Sequence, residues 1–279
     1  MRLTLKGHLG HWARLAKEPA FLRHRLEIRR LERLPRYTPT VTSLLGKPFE
    51  IVDALTFLEM YGSIWEQQIY RFPAERPDPL VLDGGANVGL SVVFFKQAYP
   101  LARVVAFEPD PAIFAVLERN VRRWGLSNVE LVPKALWIEA ATLPFYAEGS
   151  DAGRIARPGD PAGNPVSTVR LSDYLDRRVD FLKLDIEQGE TRLLEDCVGR
   201  LGNVDRLFVE HHGAASDPQE LPRLLALLSG AGFRWALHAG NDSPQPFQGR
   251  KINMGNDVQV EVFAFRETPR LKIRTDIPV

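Results

Sequence analysis

Cysteine is almost absent, with one residue, Cys197, in 279. No disulfide can form within the chain. Cys197 falls beside Leu193 and Leu194 in a helical pattern, which marks it as a small buried apolar residue rather than a nucleophile. So little cysteine fits a reducing compartment. Long hydrophobic runs are missing too: no uninterrupted apolar stretch approaches the ~18 residues of a spanning helix. The first residues lack the apolar core and cleavage site of a secretion signal, so a cytoplasmic location is expected. There is no internal repeat. Net charge is close to nil, at +1, but unevenly spread: residues 1–36 carry ten Lys and Arg against three acids, so the head is about +7 and the body about −6. A basic helical head can meet acidic lipid, a phosphorylated substrate or an acidic partner. It can equally be a solvated face packed on the acidic body of its own or a second subunit, which would make a homo-oligomer. With 44% hydrophobic and 25% charged residues the chain can bury one large core plus an appendage.

Hydrophobic spacing predicts the order of elements. Trp12, Leu15, Leu22 and Leu26, interrupted by Pro19, predict two short amphipathic helices, and a further helix is expected from Asp53 to Arg71. Pro73, Pro77 and Pro79 then lead into the core, which divides the chain into a basic helical extension, residues 1–78, and a catalytic domain, residues 79–279. From Leu80 strands and helices alternate as in a parallel α/β sheet. Strands are expected at Leu80–Leu82, Arg103–Phe107, Val129–Val132, Val179–Leu184, Arg206–Val209, Phe233–Leu237 and Val260–Phe265. A β-excursion is expected around Leu143–Tyr146. Asp110, Pro111 and Gly125 bracket a helix as N-cap, first residue and C-cap. Asp217 to Glu220 has capping-box spacing before another. Glu148 to Pro165 and Ala239 to Asp257 read as loops, the first as a mobile lid.

The strongest chemical signal is the strand, turn and helix around Asp83-Gly84-Gly85-Ala86-Asn87-Val88-Gly89. Residues without Cβ let backbone approach a ligand, and free amides at a helix start favour a carboxylate. The spacing is not the G-x-G-x-x-G of dinucleotide enzymes, which argues against hydride transfer. It is Asp83-x-Gly85-x-Asn87-x-Gly89, the methyltransferase arrangement with Asn in the middle glycine slot, where Asp83 would take the cofactor's amino group directly or through water. Glu108 ends the second strand at about the distance from this turn where an acid binds ribose hydroxyls.

These blocks resemble the FkbM-type methyltransferases. Val81 to Leu90, Phe107-Glu108-Pro109-Asp110-Pro111, Asp180 to Glu187 and Val209-Glu210-His211-His212 are similar to that family's segments, in order, across roughly residues 50–266. The family usually has Glu-Gly-Ala-Glu after the fourth strand, whereas this chain has Glu187-Gln188-Gly189-Glu190. The resemblance implies a Rossmann-like class I methyltransferase sheet, mostly parallel with one antiparallel strand near the C-terminus, and an N-terminal helical extension. It also implies S-adenosyl-L-methionine as cofactor and methylation of a hydroxyl on a sugar, glycan or natural product. The expected cofactor positions are Asp83, Gly84, Gly85, Ala86, Asn87, Gly89, Glu108, Pro109, Ala135 and Asp185.

An alcohol must also lose its proton, and His211 or Asp185, at the carboxyl ends of adjacent strands, is the expected acceptor. A metal-free site is the favoured expectation, with a divalent cation on Asp185, Glu210 and His211 as the alternative. Three other functions stay open: N-methylation, nucleic-acid methylation, and a non-catalytic cofactor-binding module. The acidic body and the lack of an Asn/Asp-Pro-Pro-aromatic block weigh against nucleic acid. The fold by itself does not decide between enzyme and binding module.

Overall fold

The computed structural model describes residues 19–266 except 151, 158–159, 162, 241–244 and 246. The helix expected around Trp12 and Leu15 therefore lies outside the described residues. The described chain opens with α1 (Pro19–Leu31), the hairpin β1 (Thr40–Thr42) and β2 (Phe49–Ile51), and α2 (Ala54–Met60), which continues as a π-helical turn, Tyr61–Glu66. Asp53 caps α2 by accepting from the Thr56 amide.

The core follows as β3 (Leu80–Gly84), α3 (Leu90–Ala98), β4 (Arg103–Phe107), α4 (Pro111–Trp124) and β5 (Val129–Val132). An inserted sheet comes next, from β6 (Ala135–Trp137), β7 (Thr142–Tyr146), β8 (Arg154–Ile155) and β9 (Asn164–Arg170). The chain then returns through β10 (Phe181–Leu184), α5 (Glu190–Cys197), β11 (Arg206–Ala214), α6 (Leu221–Gly230), β12 (Arg234–Ala239) and β13 (Asn256–Phe265).

The central sheet has seven strands in the order β12-β13-β11-β10-β3-β4-β5. Only β13 runs against its neighbours, β11 and β12. The sheet is thus mostly parallel, as expected, with its reversed strand near the C-terminus. Apolar side chains alternate along each strand to feed two layers. Val81, Phe181 and Phe208 face α3, α4 and the N-terminal elements, while Leu82, Leu182, Leu207 and Val209 face α5 and α6. Leu31, Phe49, Ile51 and Phe57 belong to the first of these clusters, so residues on both sides of the expected boundary at 78 share one core. Leu22 and Leu26 of α1 are exposed, whereas Leu31 is buried.

Local signals account for α4 fully. The Asp110 side chain accepts from the amides of Ala112 and Ile113, Pro111 opens the helix and Gly125 closes it in the left-handed region. Two expectations are corrected. The Asp217–Glu220 capping box does not form, because α6 starts at Leu221 with no side-chain cap. The strand at Arg206 continues past Val209 to Ala214, since β13 begins at Asn256 and supplies a partner for the added residues. The expected loop Glu148–Pro165 also contains β8 and the start of β9. Cys197 is fully buried.

Candidate active site

A cavity of ≈ 620 Å³ opens over the carboxyl ends of β3, β4, β10 and β11, where open α/β sheets hold their ligands. Gly85, Ala86 and Asn87 line it, as do Glu108, Pro109, Ala135 and Asp185. Asp83, Gly84 and Gly89 do not, and they support the turn from behind. Gly85 sits at φ +77°, and a Cβ there would lie 1.8 Å from the carbonyl oxygen of Asp185. Only glycine fits. A Cβ on Gly89 (φ +91°) would meet Leu117 at 2.6 Å, and one on Gly84 would meet Leu136 at 2.7 Å.

The turn is not a ring of free donors. The amides of Gly85 and Ala86 donate to the Phe107 carbonyl, that of Gly89 to Ala86, and that of Val88 to the Asn87 side chain. The Asn87 amide donates to Glu108 Oε2 at 3.0 Å and the Asp110 amide to Glu108 Oε1 at 2.9 Å. Glu108 is thus fixed at the cavity wall with lone pairs to spare, and burial pushes its carboxyl up to about 7 despite these two amides. Asn87 also donates to the Ser150 carbonyl (2.9 Å), and Ser150 Oγ meets Thr56 Oγ1 at 3.1 Å. Tyr37 donates to Glu148. The first part of the expected lid is therefore bonded across the glycine turn.

Asp83 is fully buried and reaches the cavity only through others. Ser91 donates to it at 2.5 Å, and its register partner Lys183 lies 3.6 Å away. Lys183 donates to the Gly85 carbonyl (2.7 Å) and pairs with Asp185 Oδ2 (3.2 Å). Burial disfavours its charge, but Asp185 and Asp83 outweigh that and raise its pKa. Sequence reasoning passed over Lys183; a lone lysine inside the apolar run Phe181 to Leu184 was the available signal, because a buried cation needs partners.

Parity along β11 decides which imidazole reaches the cavity. Glu210 and His212 line it. His211 points to the opposite layer, with Leu207 and Val209, and does not. Burial lowers the pKa of His211, and neither of its ring nitrogens has a hydrogen-bond partner among the described residues. Of the two alternative proton acceptors the fold brings Asp185 to the cavity and leaves His211 outside it, and of the alternative metal set only Asp185 and Glu210 line it. His212 instead lies among carboxylates, with Nε2 3.5 Å from Glu187 and 3.8 Å from Glu210, and Nδ1 3.6 Å from Glu190. Burial opposes its charge, but these acids hold its pKa well above the usual value.

Glu187, Gln188 and Gly189 follow one another at positive φ, 58°, 92° and 95°. The displaced glycine leaves Gln188 in a backbone conformation that glycine prefers. Its side chain donates to Asn256 Oδ1 at 2.7 Å, and its own oxygen is buried with no hydrogen-bond partner among the described residues.

Residues 83–235 match the methyltransferase FkbM domain. The chain is 36% identical over 226 residues to Methyltransferase sdnD of Sordaria araneosa, covering 67% of this chain and 86% of that one. It is 28% identical over 214 residues to the 31-O-demethyl-FK506 methyltransferase FkbM of Streptomyces tacrolimicus, covering 62% and 80%. With the 2-O-methyltransferase NoeI of Sinorhizobium fredii it shares 30% identity over 146 residues, covering 51% and 57%. Among the described residues no helix is long and apolar enough to cross a membrane. A glycine turn that admits no side chain, an acid fixed at the end of β4 and a domain match over more than half of the chain lead to one conclusion: the protein belongs to the FkbM family of methyltransferases.

Proposed function

We propose that this enzyme transfers a methyl group from S-adenosyl-L-methionine to a hydroxyl of a small molecule, a sugar, glycan or natural product. The observation that carries the reading is Glu108, a buried carboxylate with unused lone pairs, at the wall of a cavity bounded by the Gly85 to Asn87 backbone. A ribose diol supplies the two donors that such an acid lacks. The names of the Streptomyces and Sinorhizobium relatives give O-methyl chemistry. That supports a hydroxyl acceptor here and does not select among sugars, glycans and natural products.

The residues fit the cofactor. Gly85 to Asn87 line the cavity as a tight turn that Gly85 lets pack against the Asp185 carbonyl, Glu108 accepts from the ribose, and Pro109 and Ala135 border the same space. Bound there, the cofactor supplies an electrophilic methyl on a sulfonium that leaves as a neutral thioether. The protein's main task is then to hold a hydroxyl oxygen in line, an effect worth about 7–11 kcal/mol in well-oriented systems. Asp185 and Glu210 edge the cavity as acceptors for the hydroxyl proton, a role that typically adds ~10²–10⁴ in rate. Lys183 steadies Asp185 and the turn together, which couples the cofactor side of the cavity to the acceptor side.

Methyl-labelled cofactor incubated with a panel of polyhydroxylated small molecules tests the proposal. Label in an ether product supports it. A chain that binds neither the cofactor nor its demethylated product in calorimetry refutes it.

A further inference from the structure

The acceptor side of the cavity holds a group that methyl transfer alone does not explain. His212 is only 5% exposed, and neither ring nitrogen has a hydrogen-bond partner among the described residues. Three carboxylates stand 3.5–3.8 Å from it, in ion-pair range yet outside the hydrogen bonds that a buried imidazole usually makes. One donor atom from each of Asp185, Glu187 and His212 lies within 4.8 Å of the others.

The two ring nitrogens are not equivalent. Nε2 faces Glu187 and Glu210, on the cavity side. Nδ1 faces Glu190, which is itself buried and held by the Gln188 amide at 2.8 Å. A carboxylate behind one nitrogen and further carboxylate oxygens before the other is how metal-binding histidines are oriented. We infer that Asp185, Glu187 and His212 form a site for a divalent first-row transition metal, with Glu190 as the carboxylate that sets the His212 tautomer.

The dimensions suit such an ion. Nitrogen and oxygen donors about 2.0–2.2 Å from a cation stand roughly 3–4 Å apart. The 3.5 Å between His212 Nε2 and Glu187 lies in that range, and Asp185, within 4.8 Å of both, would close in on the ion. Asp185 and Glu187 keep part of their side chains exposed to the cavity, which gives the ion an entry path and leaves coordination positions open. Lys183 occupies one oxygen of Asp185 and leaves the other. One imidazole with two carboxylates is the donor mixture of Mn, Fe, Co and Zn sites rather than of an all-oxygen Ca or Mg cage. The open positions face the acceptor, so the class of ligand they would take is an oxygen donor such as its hydroxyl. Only that last point rests on the methyltransferase reading.

Cobalt(II) titration of the full chain, stripped with chelator and free of cofactor, tests the site without any activity. The expected result is one saturable site per chain, with visible d–d absorption stronger than that of the hydrated ion. Glu187→Gln and His212→Gln should each weaken binding at least about tenfold while thermal unfolding stays cooperative. If His212→Gln fails to fold, Glu187→Gln, at a side chain less buried than His212, is the deciding variant. Absence of saturable binding in the wild-type chain, or unchanged affinity in folded Glu187→Gln, overturns the site and shows His212 to be an imidazolium caged by glutamates. Cobalt binding in a protein that transfers no label to any hydroxyl would instead sink the acceptor assignment and leave the metal site standing.

Discussion

Replacing Glu108 by Gln examines ribose binding through its dependence on pH. In the cofactor-free protein burial pushes this carboxyl up to about 7 from the ordinary 4.5, against the pull of the Asp110 and Asn87 amides. The folded state therefore holds the proton more tightly than the unfolded chain. The resulting penalty on stability is absent below about pH 4.5, grows as pH rises, and is complete above about 7, at on the order of 3 kcal/mol. A ribose diol donates two hydrogen bonds and needs the ionised acid. Near pH 6 only about one molecule in eleven carries it, so the dissociation constant should be about tenfold larger near pH 6 than near pH 8, or ~1.4 kcal/mol.

Calorimetry with the demethylated cofactor, run in parallel on wild type and Glu108→Gln, isolates this contribution because the ligand's own ionisation cancels between the two. The variant should bind more weakly near pH 8 and lose the tenfold dependence. Its unfolding free energy should also lack the decline with pH, although the amide leaves one backbone N–H without its acceptor, at about 1–3 kcal/mol. If the ratio of the two dissociation constants stays constant from pH 6 to 8, Glu108 does not bind the ribose as a carboxylate.

Other substitutions probe the support around the site. Gly85→Ala places a Cβ 1.8 Å from the Asp185 carbonyl at a φ of +77°, and should cost more than about 2 kcal/mol in denaturant unfolding. Asn87→Gly keeps the left-handed backbone but removes the bond to Ser150; hydrogen exchange should quicken at Gly149 and Ser150, and unchanged exchange would show that other contacts hold this segment. Gln188→Gly relieves a φ of 92° and a buried orphan oxygen at the loss of one bond to Asn256, so the melting temperature should rise, by roughly 1 kcal/mol of stability. With an identified acceptor, Asp185→Asn should lower turnover by ~10²-fold or more, whereas His211→Gln, facing the other layer, should leave turnover within about twofold. Equal losses in both would undo the assignment of faces.

Residues near one another in the chain determined much of this protein. The Asp110 cap, Pro111 and Gly125 specify α4 through hydrogen bonds that span at most four residues. The turn from Asp83 to Gly89 announces itself because a φ of +77° and a carbonyl at 1.8 Å leave glycine no substitute. Alternation of strands and helices indicated the parallel sheet for the same reason, since the patterns are local and the crossover rules are few, while the reversed strand followed from the family resemblance.

What the sequence alone left undecided depended on distant partners. Strand β11 reaches Ala214 only because residues 256–265, far along the chain, return beside it. That extension, and the two-residue period of a strand, put His212 rather than His211 at the cavity. Lys183 joins the site because the register of β10 on β3 sets it beside Asp83, a hundred residues earlier. Side-chain direction at a strand end depends on pairing, and pairing is a property of the folded sheet.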